Sequence, residues 1–587
     1  MDPLVSSANR AAVVRVTIGL AQGIALYWLS IVNEQKLWPP DQPEALVALQ
    51  VALVFAPLVA ISGFGNLRLR TLLAWTAASA LICAAVGYHA ASAMRQSTSG
   101  FWIWWEPLSA FTPSLACLLF IANALVTAGD VDRKPIAGFT TYFEVSWKQV
   151  TQLALSALFV SLFWGVLWLG AWLFRSIEVQ IVGETIAKRW FWLPATTVAV
   201  SVSLHLTDHQ ANLVRGARTL LLNLMSWLMP VLTVIGAAFL VALFFTGLDP
   251  LWHTRYATRS LMVAAALLIL LINSHYQDGE APGGGRLLVY TRFLAALMLV
   301  PLVVLASVGL GLRVDQYGWT PSRVIACAYL VMLAAHALGY ALAALRSGPA
   351  LRGLPTTNII SAFIVGAGLL ALLTPLADPT RISVADQVGR LESGRVVPEK
   401  FDFAFLEHRG GRYGKDAYDR LRTSPQGPNA ARITARIEEL RSKATRSASG
   451  ATADTRRRNI TVVRPAGDAL PADFLSQDWK PSRLPAIPTP RCLTTAEVKC
   501  EASLIDLTGD NEPEILLSDP FFATVFARMA DGTWAAVGQI RDKLSCPGVR
   551  DALRTGKVEP VAPRFKDVEV AGERLRIAMP ICGNRQP

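Results

Sequence analysis

The sequence predicts an all-α polytopic membrane domain of about eleven transmembrane helices, followed by a small soluble α+β, β-rich C-terminal domain. Of the 587 residues, 52% are hydrophobic and only 17% are charged, whereas a soluble domain carries about 25% charged residues. Apolar runs of about 20 residues, the length that crosses a bilayer core of about 30 Å, recur until residue 377. Beyond Thr374 lie 33 of the 55 Lys and Arg residues and 28 of the 43 Asp and Glu residues. The composition therefore excludes an ordinary soluble globule.

Eleven apolar runs are long enough to span a bilayer as helices. They are Ala11–Val32, Ala45–Phe64, Thr71–Ala90, Leu108–Ala128, Val150–Phe174, Trp190–Leu206, Thr219–Thr246, Ala257–Asn273, Leu287–Leu310, Arg323–Leu345 and Asn358–Ala377. The sixth is short and becomes polar toward its end. The seventh contains Pro230, which predicts a kink or a split. Arg15 lies near the start of the first run, where we expect its side chain to reach back to the lipid headgroups.

The loop charges predict the orientation of the helices. Thirteen Lys and Arg residues fall in one set of loops and nine in the other, and positive charges favour the cytoplasmic side. The N-terminus is therefore expected in the cytoplasm, and eleven spans would put the C-terminal domain on the other side. We predict three parts: a polytopic domain (1–377), a basic helical and linker segment (378–458), and a sheet-rich domain (459–587).

The cysteines support this orientation. Three of the seven fall inside apolar runs, where a free thiol behaves as a small buried hydrophobe: Cys83, Cys117 and Cys327. The other four lie in the tail: Cys492, Cys500, Cys546 and Cys582. An even number outside the cytoplasm predicts two disulfides with three alternative pairings. We favour Cys492–Cys500 and Cys546–Cys582, which close two local loops, and reduced thiols in a cytoplasmic tail are the alternative.

The tail changes its pattern along the chain. Ala430–Arg446 has apolar residues at helical spacing, Ser447–Arg458 has the composition of a flexible linker, and Pro465–Pro490 is punctuated by proline. From Glu501 the apolar period becomes two, which predicts short strands. The predicted strands are Ser503–Leu507, Glu514–Leu517, Ala523–Arg528, Trp534–Ile540, Val568–Ala571 and Arg574–Ala578.

One loop of the tail places oxygen side chains at alternate positions. These are Asp506, Thr508, Asp510, Glu512 and Glu514. Calcium takes six to eight oxygen ligands, and one tight loop supplies several of them in this pattern. A hydrogen-bonded turn between two strands accounts for the same residues, and we favour it, so no cofactor is predicted and calcium is the alternative.

The sixth apolar run ends in His205-Leu206-Thr207-Asp208-His209. On a helix, His205, Asp208 and His209 share one face. Two imidazoles and a carboxylate hold zinc or iron or relay protons. The alternative is a polar helix end at the headgroup level, with Arg215 and Arg218 as partners.

His336 lies in the middle of the tenth run. Ionisable residues within membrane spans are candidates for function because their burial in lipid is costly. A neutral imidazole that hydrogen-bonds a neighbouring helix is the alternative. In a transporter, His336 would line a cavity together with His205 and Asp208, near Pro230.

Several short motifs follow one another in an order that resembles a known family. They are His205-Leu206-Thr207-Asp208, Val214-Arg215-Gly216-Ala217-Arg218-Thr219-Leu220-Leu221, Phe245-Thr246-Gly247-Leu248 with Leu251-Trp252, Ile272-Asn273 with Tyr276-Gln277-Asp278-Gly279, Gln316-Tyr317-Gly318-Trp319-Thr320-Pro321-Ser322-Arg323, and Arg390-Leu391-Glu392-Ser393-Gly394. The stretch 10–380, and more loosely the chain to about 413, resembles the bacterial membrane family called domain of unknown function 4153. The resemblance implies a multi-pass protein of the bacterial inner (plasma) membrane and no established activity.

Three functions are compatible with these features. The first is an envelope-associated membrane protein of a transport type. The second is a membrane-anchored sensor or interaction protein whose periplasmic domain binds an envelope partner or calcium. The third is a metal-dependent transferase or hydrolase, although the phosphate-loop, nucleophile-elbow and His-Glu-x-x-His signatures are absent from the sequence. The partner expected in each case is the lipid bilayer, not nucleic acid, and the sequence leaves the oligomeric state open.

Overall fold

A computed structural model describes residues 3–35, 37, 42–94, 106–254, 256–279, 285–448, 451–465, 467–479, 489–496, 498–518, 522–540, 568–570 and 573–575. The chain forms two compact units, Met1–Ala430 and Ala431–Pro587. The contacts thus divide the predicted 378–458 segment between the two units. The composition-based boundaries at 377 and 458 stay predictions.

The first unit is built from helices. In chain order they are α1 (Pro3–Glu34), α2 (Pro43–Gly63), α3 (Leu69–Met94), α4 (Glu106–Asp132), α5 (Phe139–Arg175), α6 (Ile181–Ala187), α7 (Arg189–His209), α8 (Ala211–Thr246), α9 (Asp249–His253), α10 (Ala257–Tyr276), α11 (Arg286–Tyr317), α12 (Pro321–Ser347), α13 (Leu354–Leu372), α14 (Pro379–Glu392) and α15 (Gly411–Thr423). A further helix, α16 (Ala430–Ala448), begins at the boundary between the units. Helix α8 runs without a break through Pro230, so the split allowed by the sequence does not occur.

Ten helices of the described chain are long and apolar enough to cross a membrane. They are α1, α2, α3, α4, α5, α8, α10, α11, α12 and α13. These helices make the chain a multi-pass membrane protein. The predicted sixth span forms α7, but polar residues such as Ser201, Ser203 and His205 keep it out of this set, so the number is one lower than the eleven predicted.

Small side chains allow the membrane helices to approach one another closely. The largest core joins α8, α10, α11 and α12, and its fully buried alanines include Ala265, Ala295 and Ala306. Lipid gives helices no hydrophobic reason to associate, so packing contacts made possible by small residues stabilise such bundles. A second core joins α2, α3 and α4 around Val51, Cys83 and other buried residues.

Helices α1 and α7 run antiparallel in close contact. A Cβ atom on Gly19 would lie 2.0 Å from Oγ of Ser201, and one on Gly23 would lie 2.4 Å from Cα of Pro194. The two glycines are four residues apart and form a flat stripe on α1, which is the usual arrangement for close helix contact in membranes. The polar residues that lower the hydropathy of α7 therefore face a neighbouring helix.

Helix α14 packs against the turn between α11 and α12. The carboxylate of Asp386 accepts a hydrogen bond of 2.7 Å from the backbone N–H of Trp319. Gly318 has a φ of +77°, and a Cβ atom there would lie 2.5 Å from Oδ2 of Asp386. Glycine therefore meets both the backbone and the space requirements of this turn.

The second unit is a small sheet with short helices. Its elements are α17 (Ala453–Asn459), β1 (Ile460–Arg464), α18 (Ala472–Ser476), α19 (Arg491–Thr494), β2 (Cys500–Ile505), β3 (Glu514–Ser518), β4 (Ala523–Arg528), β5 (Trp534–Ile540), β6 (Val568–Val570) and β7 (Glu573–Leu575). The first five strands form a sheet in the order β1-β2-β3-β4-β5. Only the β1–β2 pair is parallel. Phe474 and Phe526 are fully buried in its core.

The predictions for β3, β4 and β5 agree with the structure to within one residue, and β2 begins three residues earlier than predicted. The sequence does not predict α17 and β1, and residues 571 and 576–578 of the last two predicted strands lie outside the described residues. The segment expected to be a flexible linker contains α17, whose Arg456 is buried. Its guanidinium donates hydrogen bonds of 2.8 Å to the carbonyl oxygens of Leu493 and Leu475 and one of 2.7 Å to that of Gln477. The linker interpretation is therefore wrong for this stretch, because the Arg456 side chain is buried in the second unit and not exposed to solvent.

The disulfide Cys492–Cys500 is present and confirms the predicted pairing of these two residues. It ties α19 to the first residue of β2. Cys546 and Cys582 lie outside the described residues, so their pairing stays a prediction. Cys83, Cys117 and Cys327 are free thiols.

Candidate functional site

Asp208 is the centre of a polar cluster at one end of the helix bundle. It lies in the last turn of α7, close to Arg15 of α1 and to the turn that follows α2. Arg15 of α1 donates to Oδ2 of Asp208 and to the carbonyl oxygen of Phe64. The Arg15 side chain is only 4% exposed, so it is buried in an ion pair and does not extend to the headgroups as the sequence suggested.

Three further donors complete the environment of the Asp208 carboxylate. Nδ2 of Asn66 lies 3.0 Å from Oδ2. Nε2 of Gln152 and Nζ of Lys148 lie 2.6 Å and 3.1 Å from Oδ1. A carboxylate with both oxygens occupied by charged and amide donors has little capacity left for a metal ion.

The two histidines beside Asp208 contact each other. The rings of His205 and His209 form an edge contact with their centroids 4.5 Å apart. The carboxylate of Asp208 contacts Arg15 of α1 and Gln152 of α5, so the convergence of His205, Asp208 and His209 stays a prediction. Among the described residues no three His, Cys, Asp or Glu side chains are arranged to hold a metal ion. Metal binding here stays a prediction.

A cavity of about 530 Å³ adjoins this cluster. Asp208, Lys148 and Gln152 line it together with Arg215 and Arg218, the two arginines that the sequence suggested as partners. Nη2 of Arg218 lies 3.7 Å from Glu144 Oε1, not against Asp208. The cavity is therefore bordered by charged groups that already have partners in the protein.

His336 lies in a different cavity, in the middle of α12. Its Nδ1 lies 2.9 Å from the carbonyl oxygen of Met332. A carbonyl oxygen only accepts, so Nδ1 carries the proton, and Nε2 of the neutral ring is an acceptor. The described residues do not place His336 and Asp208 around one cavity, so the two parts of the predicted polar site are separate.

The cavity that His336 lines has a volume of about 1300 Å³. We call it the basic groove. Its floor is α11, and its sides are α10 and α12. Met262, Ile269 and Leu333 represent its apolar walls, and Arg313 and Arg323 lie at the end formed by the last turns of α11 and the first turn of α12.

Next to the groove, three polar side chains form a closed ring of hydrogen bonds. Nδ2 of Asn273 donates to Oη of Tyr340 at 2.7 Å, Oη of Tyr340 donates to Oδ1 of Asn358 at 2.5 Å, and Nδ2 of Asn358 donates to Oδ1 of Asn273 at 2.6 Å. Tyr340 is fully buried. The ring connects α10, α12 and α13 and leaves its hydroxyl and amide groups satisfied, so its role is structural.

Asp378 begins α14 and connects it to α3. Its Oδ1 accepts hydrogen bonds from the backbone N–H groups of Thr380 and Arg381, and Nε2 of His89 lies 2.9 Å from Oδ2. Burial alone would raise the pKa of Asp378, but the bonds from His89 and the two N–H groups outweigh it and lower the pKa below 3.8. The ionised carboxylate of Asp378 caps α14 and binds the His89 side chain.

The calcium-like loop of the second unit satisfies its carboxylates internally. Asp506 accepts from the N–H groups of Gly509 and Asn511 at 2.6 and 3.0 Å, and the first of these bonds is the main cause of its lowered pKa. Glu514 accepts from the backbone of Leu507 and the hydroxyl of Thr508. These bonds form the hydrogen-bonded turn that the sequence favours, and calcium binding at Asp506, Thr508, Asp510, Glu512 and Glu514 stays a prediction.

Sequence reasoning missed the partners of Asp208 and the arginines of the groove. Arg15 is 193 positions from Asp208 and Gln152 is 56 positions away, and no local spacing connects them. The only signal was that Arg15 lies within an apolar run, where a buried charge needs a partner.

One of three comparisons with known proteins found a match. A family model described as "Domain of unknown function (DUF4153)" matches residues 45–422. No curated protein and no solved structure matches the chain significantly. The matched region holds Asp208, its partners from α2 and α5, and the whole basic groove. Since the match covers more than half of the sequence, the chain belongs to the DUF4153 family of membrane proteins.

Proposed function

We propose that this protein is a transport-type protein of the bacterial envelope and that the basic groove is its substrate site. The observation that carries this proposal is the groove itself, a cavity of about 1300 Å³ that extends from arginines at one end of the bundle to His336 in the middle of α12. Ligand sites in proteins are concave, largely apolar, and contain a few placed polar groups. The groove has all three properties.

The cluster around Asp208 has a different role in this proposal. Its carboxylate is compensated by Arg15 and Lys148 and by two amide donors. Buried charge that is fully paired holds helices in register, because separating the partners leaves a charge without solvent. We infer that the cluster joins α1, α2, α5 and α7 at one end and does not bind substrate.

A substitution that fills the groove tests its role. Ala266 lines the groove, so Ala266→Phe should block substrate while it adds only apolar volume. Ala242 lies exposed on α8, so Ala242→Phe is the matched control. In a deletion strain, we expect a change in envelope lipids or metabolites that Ala242→Phe restores and Ala266→Phe does not. Equal restoration by both variants, or an unchanged deletion strain, would contradict the proposal.

The orientation that we propose puts the N-terminus in the cytoplasm of an inner membrane and the second unit in the periplasm. It is supported by the loop charges and by the Cys492–Cys500 disulfide, since disulfides persist in oxidising compartments. Alkaline phosphatase fused after Pro587 should be active in the periplasm. Activity of a cytoplasmic reporter alone at that position would reverse the assignment.

A further inference from the structure

We propose that the ligand of the basic groove is a membrane lipid with an anionic phosphate headgroup. The headgroup lies at Arg259, Arg313 and Arg323, and the hydrocarbon chains follow α10, α11 and α12 toward His336. The inference rests on the proposed function only in taking the groove as a ligand site, and it concerns binding, not movement, of the lipid.

The size and walls of the groove fit hydrocarbon chains. Its volume of about 1300 Å³ exceeds the range of about 300–1,000 Å³ that is usual for sites of drug-sized ligands. Met262, Ala266 and Ile269 of α10 and Ala326 and Leu333 of α12 line it with apolar surface. A polar solute would leave this surface without a complementary partner, whereas acyl chains cover it.

The groove is open at its side, not only at its end. Val263 on α10 is 52% exposed, Leu312 on α11 is 51% exposed and Tyr329 on α12 is 39% exposed, and all three line the groove. In a membrane helix, such exposed apolar side chains contact the hydrocarbon of the bilayer. A lipid therefore has a lateral path into the groove, which a water-soluble ligand lacks.

The charges at the end of the groove favour an anion. The ionised residues that line it are Arg259, Arg313, Arg323 and a single acid, Asp315. Within the described ranges, none of the three arginines makes an ion pair with a carboxylate. At Asp208, by contrast, the cations Arg15 and Lys148 both contact a carboxylate.

Two of the arginines are positioned by the backbone. Nη2 of Arg313 donates to the carbonyl oxygen of Trp252 at 3.0 Å, and Nη1 of Arg323 donates to that of Gly318 at 2.5 Å. Each guanidinium has five N–H donors, so most of each planar group is left for a ligand. Such planar donors match the oxygens of a phosphate in pairs, and basic pockets between membrane helices bind phosphate headgroups in this way.

Native mass spectrometry of the purified full-length protein tests the inference. The probes are phosphatidylglycerol, which carries a net negative phosphate, phosphatidylcholine, which has no net charge, and palmitate, which carries a carboxylate. We expect phosphatidylglycerol to bind at least about tenfold more tightly than phosphatidylcholine, given about 1 kcal/mol for each basic residue near an anionic lipid. Equal affinity for the two phospholipids would show only bulk lipid and overturn the proposal, and preferred binding of palmitate would overturn the phosphate assignment.

Neutralising the end of the groove should remove the preference. The variant Arg259→Gln/Arg313→Gln/Arg323→Gln is expected to bind both phospholipids alike. Because Arg313 and Arg323 also support the backbone, Ala266→Phe provides a second test that retains every charge. It should reduce the amount of phosphatidylglycerol bound, and unchanged binding in both variants would refute the site.

A matched control removes the same number of charges from the other end of the same helices. The arginines at that end are Arg286, Arg346 and Arg352, which are exposed and do not line the groove. The variant Arg286→Gln/Arg346→Gln/Arg352→Gln should retain the preference for phosphatidylglycerol. If it loses the preference as fully as the groove variant does, the effect is one of net charge and the site is refuted. If the wild-type protein prefers phosphatidylglycerol and Ala266→Phe still complements a deletion strain, transport through the groove is refuted, whereas the lipid site is not.

Discussion

The ion pair of Arg15 and Asp208 is expected to be one of the strongest single interactions between α1 and α7. Its side chains are 4% and 14% exposed. Removing one partner of a buried pair costs about 3–5 kcal/mol because the other charge is left without solvent. Lys148 remains 3.1 Å from Asp208 in Arg15→Met and compensates part of this charge. We therefore expect a free-energy loss of about 3 kcal/mol for Asp208→Asn and somewhat less for Arg15→Met.

A double-mutant cycle isolates the pair from the other contacts of its members. Interacting residues in contact show coupling energies of about 0.5–3 kcal/mol, and the low exposure of both side chains puts Arg15 and Asp208 in the upper half of this range. The same helices provide a control at their opposite ends, where Nη1 of Arg189 lies 3.1 Å from Glu34 Oε2 with side chains that are 53% and 66% exposed. Exposed pairs of this type are worth about 0.2–1 kcal/mol, so the cycle of Glu34→Gln and Arg189→Gln should give a much smaller coupling.

The assay is reversible unfolding of the full-length protein in mixed micelles, with the free energy of unfolding measured for both cycles. We expect a coupling of about 2 kcal/mol for Arg15 and Asp208, in line with a buried contact pair. A coupling below about 0.5 kcal/mol, or one no larger than that of the exposed pair, would refute the argument that burial sets the strength of this interaction.

Three further substitutions test other parts of the fold. Arg456→Ala leaves three buried carbonyl oxygens without a donor and should destabilise the second unit by about 2–4 kcal/mol, seen as faster proteolysis within it, whereas Arg457→Ala at an exposed neighbour should have no effect. Tyr340→Phe opens the ring of hydrogen bonds and should lower the free energy of unfolding by about 1 kcal/mol. A change near zero would show that the ring does not stabilise the contact between its helices. Because the hydrogen bonds to Asp378 outweigh its burial and hold its pKa below its usual range, its contribution to stability is present above the pKa of the unfolded state and is lost as the pH falls through the lower pKa of the folded state. Asp378→Asn keeps the helix cap but should weaken the bond to His89 and remove this acid-dependent step from the stability profile.

Local patterns in the sequence were sufficient for most of the architecture. Apolar runs predict membrane helices because each residue adds a fixed rise and the bilayer has a fixed thickness. Alternation predicts β3, β4 and β5 because successive side chains of a strand point to opposite faces. The eight-residue separation of Cys492 and Cys500 identifies a short loop that a disulfide closes without distant rearrangement.

Contacts between distant segments account for what the sequence did not predict. Arg456 stands in a run of three arginines, which has the composition of a solvated segment, and only the fold brings carbonyl oxygens from three other positions around it. Strand β1 is short and pairs in parallel with β2, so the sequence contains no hairpin turn that would indicate this strand. Closeness in sequence groups Asp208 with His205 and His209, but the carboxylate of Asp208 forms its ion pairs with Arg15 and Lys148.

The structure also distinguishes the two polar regions of the membrane domain by their charge balance. At Asp208, the buried carboxylate contacts the cations Arg15 and Lys148 and two amide donors. In the basic groove, Arg259 is exposed, whereas Arg313 and Arg323 are half-buried and make no ion pair with a carboxylate among the described residues. A buried or partly buried excess of one sign is costly, and the ligand-binding region is therefore expected where compensation is missing.

The membrane crossing of α7 decides on which side the chain ends. Ten spans return the second unit to the side of the N-terminus, and an eleventh moves it across. Helix α7 is too polar for a span by composition, yet it runs antiparallel to α1 from the Arg189–Glu34 pair to the Asp208–Arg15 pair. Its 21 residues cover about 31 Å at a rise of about 1.5 Å per residue, which matches a bilayer core of about 30 Å.

We therefore predict that α7 crosses the membrane beside α1. Lys188 and Gln210 flank the helix and are exposed, so Lys188→Cys and Gln210→Cys report on its two ends. An impermeant thiol reagent added to intact cells should label the cysteine at 188 and not the one at 210, and permeabilised cells should show both. Labelling of both positions from one side would mean that α7 re-enters, which would leave ten spans and place the disulfide-bonded unit in the cytoplasm. That compartment is reducing, so the disulfide and a non-spanning α7 are hard to reconcile, and the labelling experiment decides between them.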